Sequence, residues 1–210
     1  MTPLVIAHRG ASWDHPENTL AAFRRAIAVG ADYIELDVRA SRGCQIVVHD
    51  PVRHALVERH ELRPDVPTLD EVLDECGNEV GLVLDLKTRG IETETFAALD
   101  EHGVDLDRVV IASFVPDIVR TTRRLRPEVR TIQHVGRASV RRASEYAWGV
   151  GFPNIVATRP RIERARSLGL AATVFTVNER RRMRQLAAYG VDAIFTDRPD
   201  VLRELLPIAA

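Results

Sequence analysis

Apolar residues fall in short β-rich runs that alternate with amphipathic stretches almost to the end of the chain. The pattern predicts extended segments at residues 4–9, 33–39, 82–87, 109–114, 131–135, 154–158, 172–177 and 193–196. Between them, apolar positions three and four apart predict helices at 19–29, 69–76, 94–101, 118–125, 161–168, 179–188 and 201–205, with a weaker one at 139–147. Gly30, Gly77, Gly103, Gly169 and Gly190 stand just past helix ends, where a residue tolerant of the left-handed conformation is favoured.

Strict alternation implies parallel strands joined by right-handed crossovers. Eight such units predict an α/β fold of the (β/α)8 TIM-barrel type, with an open doubly wound sheet as the competing arrangement. No Gly-x-Gly-x-x-Gly follows the first strand, which counts against dinucleotide binding. No linker or low-complexity tract interrupts the pattern, so residues 1–210 are expected to form one barrel domain. One segment breaks the rhythm. Two extended runs flank Ser41-Arg42-Gly43 and lead to His49-Asp50, predicting a hairpin excursion after the second barrel strand. It would bring His49 back to the level of Glu35 and Asp37, with residues 51–67 as an irregular loop over the same end.

The composition adds exclusions. The 210 residues are 45% hydrophobic and 28% charged, an ordinary globular balance. A formal charge of −1 gives no global attraction to nucleic acid or anionic membrane. Arginine-rich stretches at 120–126 and 180–184 sit in helical patterns near acidic residues and are read as solvated faces. Two cysteines make no disulfide framework, and no leader or integral membrane segment is expected, so a cytoplasmic location is anticipated. Oligomeric state is unreadable.

Chemistry concentrates at the strand ends, where barrels of this type gather their functional groups. His8 and Arg9 end the first strand. Glu35 and Asp37, two apart on the second, face one side. Asp85 and Lys87 repeat that spacing on the next barrel strand. Three converging carboxylates are costly unless a cation neutralises them, and hard oxygen donors favour Mg2+ or Ca2+. Lys87 is the sole lysine among 29 basic residues, and a compact ammonium suits a phosphate oxygen. His8 and His49 can exchange protons near neutral pH. His15, His54, His60, His102 and His134 are read as surface or structural residues, although His134 ends a strand.

At these residues the sequence resembles the glycerophosphodiester phosphodiesterase family. The likeness runs through His8-Arg9-Gly10-Ala11, Pro16-Glu17-Asn18-Thr19, Glu35-Leu36-Asp37 and Val47-Val48-His49-Asp50. It continues at Pro67-Thr68-Leu69, Asp85-Leu86-Lys87, Ser113-Phe114, Thr176-Val177-Asn178 and Thr196-Asp197-Arg198-Pro199. The resemblance implies metal-dependent hydrolysis of glycerophosphodiesters to glycerol 3-phosphate and an alcohol. It assigns one divalent cation to Glu35, Asp37 and Asp85, and the acid/base pair to His8 and His49. Arg9 and Lys87 fall on the phosphate, with Glu17 and Asn18 bracing the site and Phe175 on the substrate. Three departures stand out: Asp85 where Glu is common, Phe175 where Trp is usual, and a shortened segment at 51–67. An open site that admits bulky alcohols would follow, with a glycerophosphodiester or a lysophospholipid as the small-molecule substrate.

Three other readings share parts of this evidence. A phospholipase D-like enzyme would act on lysophospholipid or sphingomyelin and release a cyclic phosphate. An aldolase-type barrel would use Lys87 as a Schiff-base nucleophile. A phosphate-ester-binding barrel would keep the site with little turnover.

Overall fold

The computed structural model describes residues 2–41, 44–47, 66–136 and 140–206. Nine strands form one sheet: β1 Leu4–His8, β2 Tyr33–Ser41, β3 Cys44–Val47, β4 Gly81–Leu86 and β5 Val109–Ser113, then β6 Arg130–His134, β7 Gly149–Pro153, β8 Ala171–Phe175 and β9 Ala193–Thr196. Eight of these are parallel. They close on themselves because β1 pairs with both β2 and β9, giving the (β/α)8 barrel. β3 is the exception, pairing antiparallel with the outer end of β2 from Val38↔Val47 to Ser41↔Cys44. The expected hairpin is therefore present. Its second strand is tied to the following helix by a 2.9 Å bond from Val47 N–H to the Pro67 carbonyl.

Among the described residues eight helices wrap the barrel: α1 Leu20–Ala28, α2 Leu69–Cys76, α3 Glu92–Glu101, α4 Pro116–Leu125, α5 Val140–Ala143, α6 Arg159–Ser167, α7 Arg180–Ala188 and α8 Pro199–Leu205. Helix starts follow local chemistry. The Thr19 hydroxyl accepts from Ala22 N–H, and Thr68 with Glu71 forms a reciprocal capping box on α2. α5 is shorter than the pattern suggested, and Gly77 ends α2 in right-handed rather than left-handed geometry.

The period-2 alternation of each strand sorts side chains into two layers. Ile34, Leu36 and Val38 of β2, with Leu82, Leu84 and Leu86 of β4, pack outward against the helices. The intervening positions face inward. Ile6, Val83, Val110, Ala112, Ile132, Ala193 and Phe195 form the apolar filling of the barrel, flanked by Tyr33 and Phe175. Glu35, Asp37 and Asp85 continue this inner register toward the strand C-termini.

One expected strand is misplaced. Residues 154–158 hold a short 3-10 turn, Asn154–Val156, and the sixth barrel strand is Gly149–Pro153. Two glycines and a proline gave that stretch no β signature. The glycines are there for space: a Cβ at Gly149 would crowd the Ala171 carbonyl, and one at Gly151 would overlap the His134 ring.

Candidate active site

The turn out of β1 builds the first wall of the site. Arg9 and Gly10 both adopt positive φ, at 57° and 84°. Gly10 also lies so close to the backbone of Ala22 that any side chain would collide with it. This bend delivers Arg9 N–H to Glu35 Oε2 at 2.9 Å and Arg9 Nε to Asp37 Oδ2 at 2.9 Å. A third contact, Arg9 Nη1 to Glu17 Oε2 at 2.6 Å, ties the guanidinium to the loop before α1. From the same loop, Asn18 donates to Asp37 Oδ2 at 3.0 Å and accepts from Asp37 N–H at 3.2 Å. Glu17 and Asn18 thus brace Arg9 and Asp37.

Strand register sets the remaining neighbours. His8 lies opposite Glu35, and Asp37 opposite Asp85. Oxygens from Glu35, Asp37 and Asp85 come within 4.8 Å of one another, all three buried. Lys87 reaches across this cluster, with Nζ 2.8 Å from Asp37 Oδ1 and in contact with Asp85 Oδ2. The mouth of the site is held by Ser113, whose hydroxyl donates to the Leu86 carbonyl.

Burial, then the adjacent Asp37 charge, pushes the Glu35 carboxyl up to about 7. Burial also opposes ionisation of Asp37, but Lys87 and Arg9 outweigh it and hold that group below the usual carboxylate range. Asp85 is likewise pulled down, by His134 and Lys87 against its own burial. Lys87 is buried too, yet Asp85, Asp37 and Glu35 raise its pKa. An ammonium so firmly charged is unsuited to Schiff-base chemistry.

Can the cluster hold a cation? Asp85 Oδ1 is buried and has no hydrogen-bond partner among the described residues. A free, desolvated carboxylate oxygen within an all-oxygen acidic triad fits a hard divalent ion.

His8 is oriented from the other end of the chain. Its Nδ1 lies 2.7 Å from Asp197 Oδ1, which also accepts from Ser12 at 3.0 Å. Asn178 donates to Asp197 Oδ2 at 2.6 Å and accepts from Asp197 N–H and Thr196 Oγ1. Burial disfavours the imidazolium, but the Asp197 hydrogen bond and the Glu35 charge together raise the His8 pKa.

Phe175 meets the ring of His134 edge-on at 4.6 Å between centroids, and Phe114 lies 4.8 Å from the same ring. His134 is buried and its Nε2 is 3.4 Å from Asp85 Oδ2. Of its expected surface or structural placement, burial excludes the surface half. In the sequence it differs from His15, His54, His60 and His102 in ending a predicted strand. The expected second imidazole, His49, lies outside the described residues, as do His54 and His60. Asp197 and Asn178 belonged to recognisable motifs, but their partnership with His8 needed the barrel to close.

Residues 8–60 and 51–201 match the glycerophosphoryl diester phosphodiesterase family. A glycerophosphodiester phosphodiesterase of Caldanaerobacter subterraneus subsp. tengcongensis is 29% identical over 242 aligned residues, covering 98% of both chains. One from Bacillus subtilis (strain 168) is 28% identical, covering 96% of this chain and 86% of its own. Among solved structures, an Oleispira antarctica phosphodiesterase in complex with the product sn-glycerol-3-phosphate superposes with a TM-score of 0.86. It is 27% identical, over 97% of this chain and 96% of that one. The glycerophosphodiester phosphodiesterase of Agrobacterium tumefaciens str. C58 gives a TM-score of 0.80 at 28% identity, over 97% of this chain and 100% of that one. With a match that runs from His8 on the first strand to Val201 in the last helix, the chain belongs to the glycerophosphoryl diester phosphodiesterase family, whose members are phosphoric diester hydrolases.

Proposed function

We propose that this barrel hydrolyses glycerophosphodiesters, lysophospholipids among them, to a glycerol 3-phosphate and an alcohol. One divalent cation, Mg2+ or Ca2+, would be held by Glu35, Asp37 and Asp85. The observation that carries this reading is the buried acidic triad, flanked by two cationic side chains and an oriented imidazole at one barrel end. When bound, the cation neutralises the carboxylates and stabilises charge developing on the phosphoryl group.

The protein's own groups supply the rest. Lys87 and Arg9 place positive charge beside the phosphoryl oxygens, where it is worth most in a water-poor site. His8, with Nδ1 committed to Asp197, uses Nε2 to pass a proton to the departing alcohol oxygen as the P–O bond breaks. His49 is the base that takes a proton from the attacking glycerol 2-hydroxyl, and water then opens the resulting cyclic phosphate to glycerol 3-phosphate. β3 supports this role by running back along β2 to Val47, opposite Val38 and one residue beyond Asp37. Phe175 offers an apolar wall to the carbon skeleton of the substrate. Among the described residues, no helix is long and apolar enough to cross a membrane, in keeping with a small-molecule substrate met in solution or at a surface.

Phosphorus NMR on glycerophosphocholine and lysophosphatidylcholine, with Mg2+ or Ca2+ present and then chelated, tests the reading. Glycerol 3-phosphate, or its acylated form, should accumulate only with cation. Cyclic phosphate persisting as end product would favour the phospholipase D-like alternative, and binding without turnover would reduce the protein to a phosphate-ester receptor.

A further inference from the structure

His134 is a buried imidazole for which neither the proposed proton transfers nor the cation cluster has a use. Three phenylalanines box it in, with centroids at 4.8 Å for Phe114, 4.6 Å for Phe175 and 6.3 Å for Phe195. Its Nδ1 is buried and has no hydrogen-bond partner among the described residues. Its Nε2 lies 3.4 Å from Asp85 Oδ2. An imidazole kept in such an apolar box must put its N–H where an acceptor is, because an unpaired buried donor is costly. The protein also makes room for the ring from behind: a side chain at Gly151, on the adjacent strand, would overlap His134 Nδ1.

Asp85 reads differently in this light. Its Oδ2 is engaged twice, by Lys87 and by His134, while its Oδ1 has no hydrogen-bond partner. Aspartate is a short arm, and a single contact through Lys87, a flexible stem, would leave the carboxylate free to rotate. A second contact from a ring that cannot move fixes which oxygen is tied and which is left over.

We infer that His134 is a positioning residue for the third carboxylate: its Nε2–H holds Asp85 Oδ2 so that Oδ1 stays free to ligate a divalent cation. The inference rests on the cation reading of the triad. Partners of this kind, one bond removed from the ion, typically set affinity by 10- to 100-fold.

Cation titration by calorimetry on the chelator-stripped protein, with Mg2+ and with Ca2+, provides the test. His134→Leu removes the donor and keeps bulk, whereas His134→Gln keeps an amide N–H near the position of Nε2. Leucine should weaken cation binding by about 10- to 100-fold, and glutamine should stay within about threefold of the parent. A merely structural ring would show no such rescue. Equal affinity in the parent and the leucine variant overturns the inference, as does equal loss in both variants. If the parent itself binds neither cation, the triad reading fails first, and this inference goes with it. Should the leucine variant not fold, 15N imidazole NMR on the parent still decides: the His134 proton is expected on Nε2, and a neutral ring protonated only on Nδ1 refutes the arrangement.

Discussion

Asp197→Asn is the sharpest probe of how His8 is armed. The substitution changes almost no volume, but its amide cannot serve all three of the carboxylate's partners, His8, Ser12 and Asn178. Asn178 is locked by accepting from Asp197 N–H and Thr196, so it must keep donating toward position 197. If the new amide oxygen faces Asn178, its NH2 confronts His8 Nδ1; if it faces His8, two NH2 groups meet. One charge-assisted hydrogen bond is lost either way, about 1.5–3 kcal/mol. Both side chains are less than a quarter exposed, at 17% and 24%, so little of this is screened away. If that energy serves to hold His8 in its proton-donating state, kcat should drop by about 10- to 100-fold.

The pH dependence gives an independent readout. His8 has a raised folded-state pKa, so its share of the stability is complete below its ordinary value and is lost as pH rises through the folded value. Asp197 is lowered, so its share is present above the ordinary carboxylate range and is lost as pH falls through the folded value. The melting-temperature gap between parent and variant should therefore be widest from about pH 4 to 6.5 and shrink on the alkaline side. The alkaline limb of kcat should move to lower pH. An unmoved limb with unchanged kcat would show that Asp197 does not act through His8.

Other outcomes follow from the same geometry. His8→Ala should lower kcat by about 10²–10⁴ without unfolding the barrel, read from steady-state release of glycerol 3-phosphate; activity near the parent's would remove His8 from the chemistry. Because burial raises Glu35 to about 7, that group is protonated below this pH, and a cation must displace its proton to bind there. A fixed concentration of Mg2+ or Ca2+ should accordingly raise the melting temperature more at pH 8 than at pH 5.5, and an equal rise at both would contradict the triad assignment. Gly10→Ala combines positive φ with a clash against Ala22 backbone, so urea melts should show about 2–5 kcal/mol lost; a loss under about 0.5 kcal/mol would mean the turn relaxes freely.

Barrel architecture was legible because period-2 apolar runs and helical stripes alternate without a break, and because the sequence neighbours Glu35-x-Asp37 and Asp85-x-Lys87 share inward-facing registers. The misplaced sixth barrel strand shows where that logic stops. Gly149 and Gly151 are selected by the space their neighbours need, a tertiary demand with no local β signal. The site divides in the same way. Short-range groups such as His8-Arg9 and Glu17-Asn18 could be read as units. His134 and Asp197 acquire partners 49 and 189 positions away, through strand adjacency that no window along the chain contains.

That last separation has a consequence for the life of the molecule. The seam of the barrel, where Ala7 pairs with Thr196, is also where His8 meets Asp197. A ribosome delivers His8 189 residues ahead of Asp197, so until the last barrel strand is made the imidazole lacks that orienting partner. With His8 as the proposed proton donor, turnover would be conditional on circular closure. A half-made or C-terminally nicked chain can carry all three acidic residues and still leave His8 without Asp197, so under the proposed mechanism catalytic competence would itself report that the ring is complete.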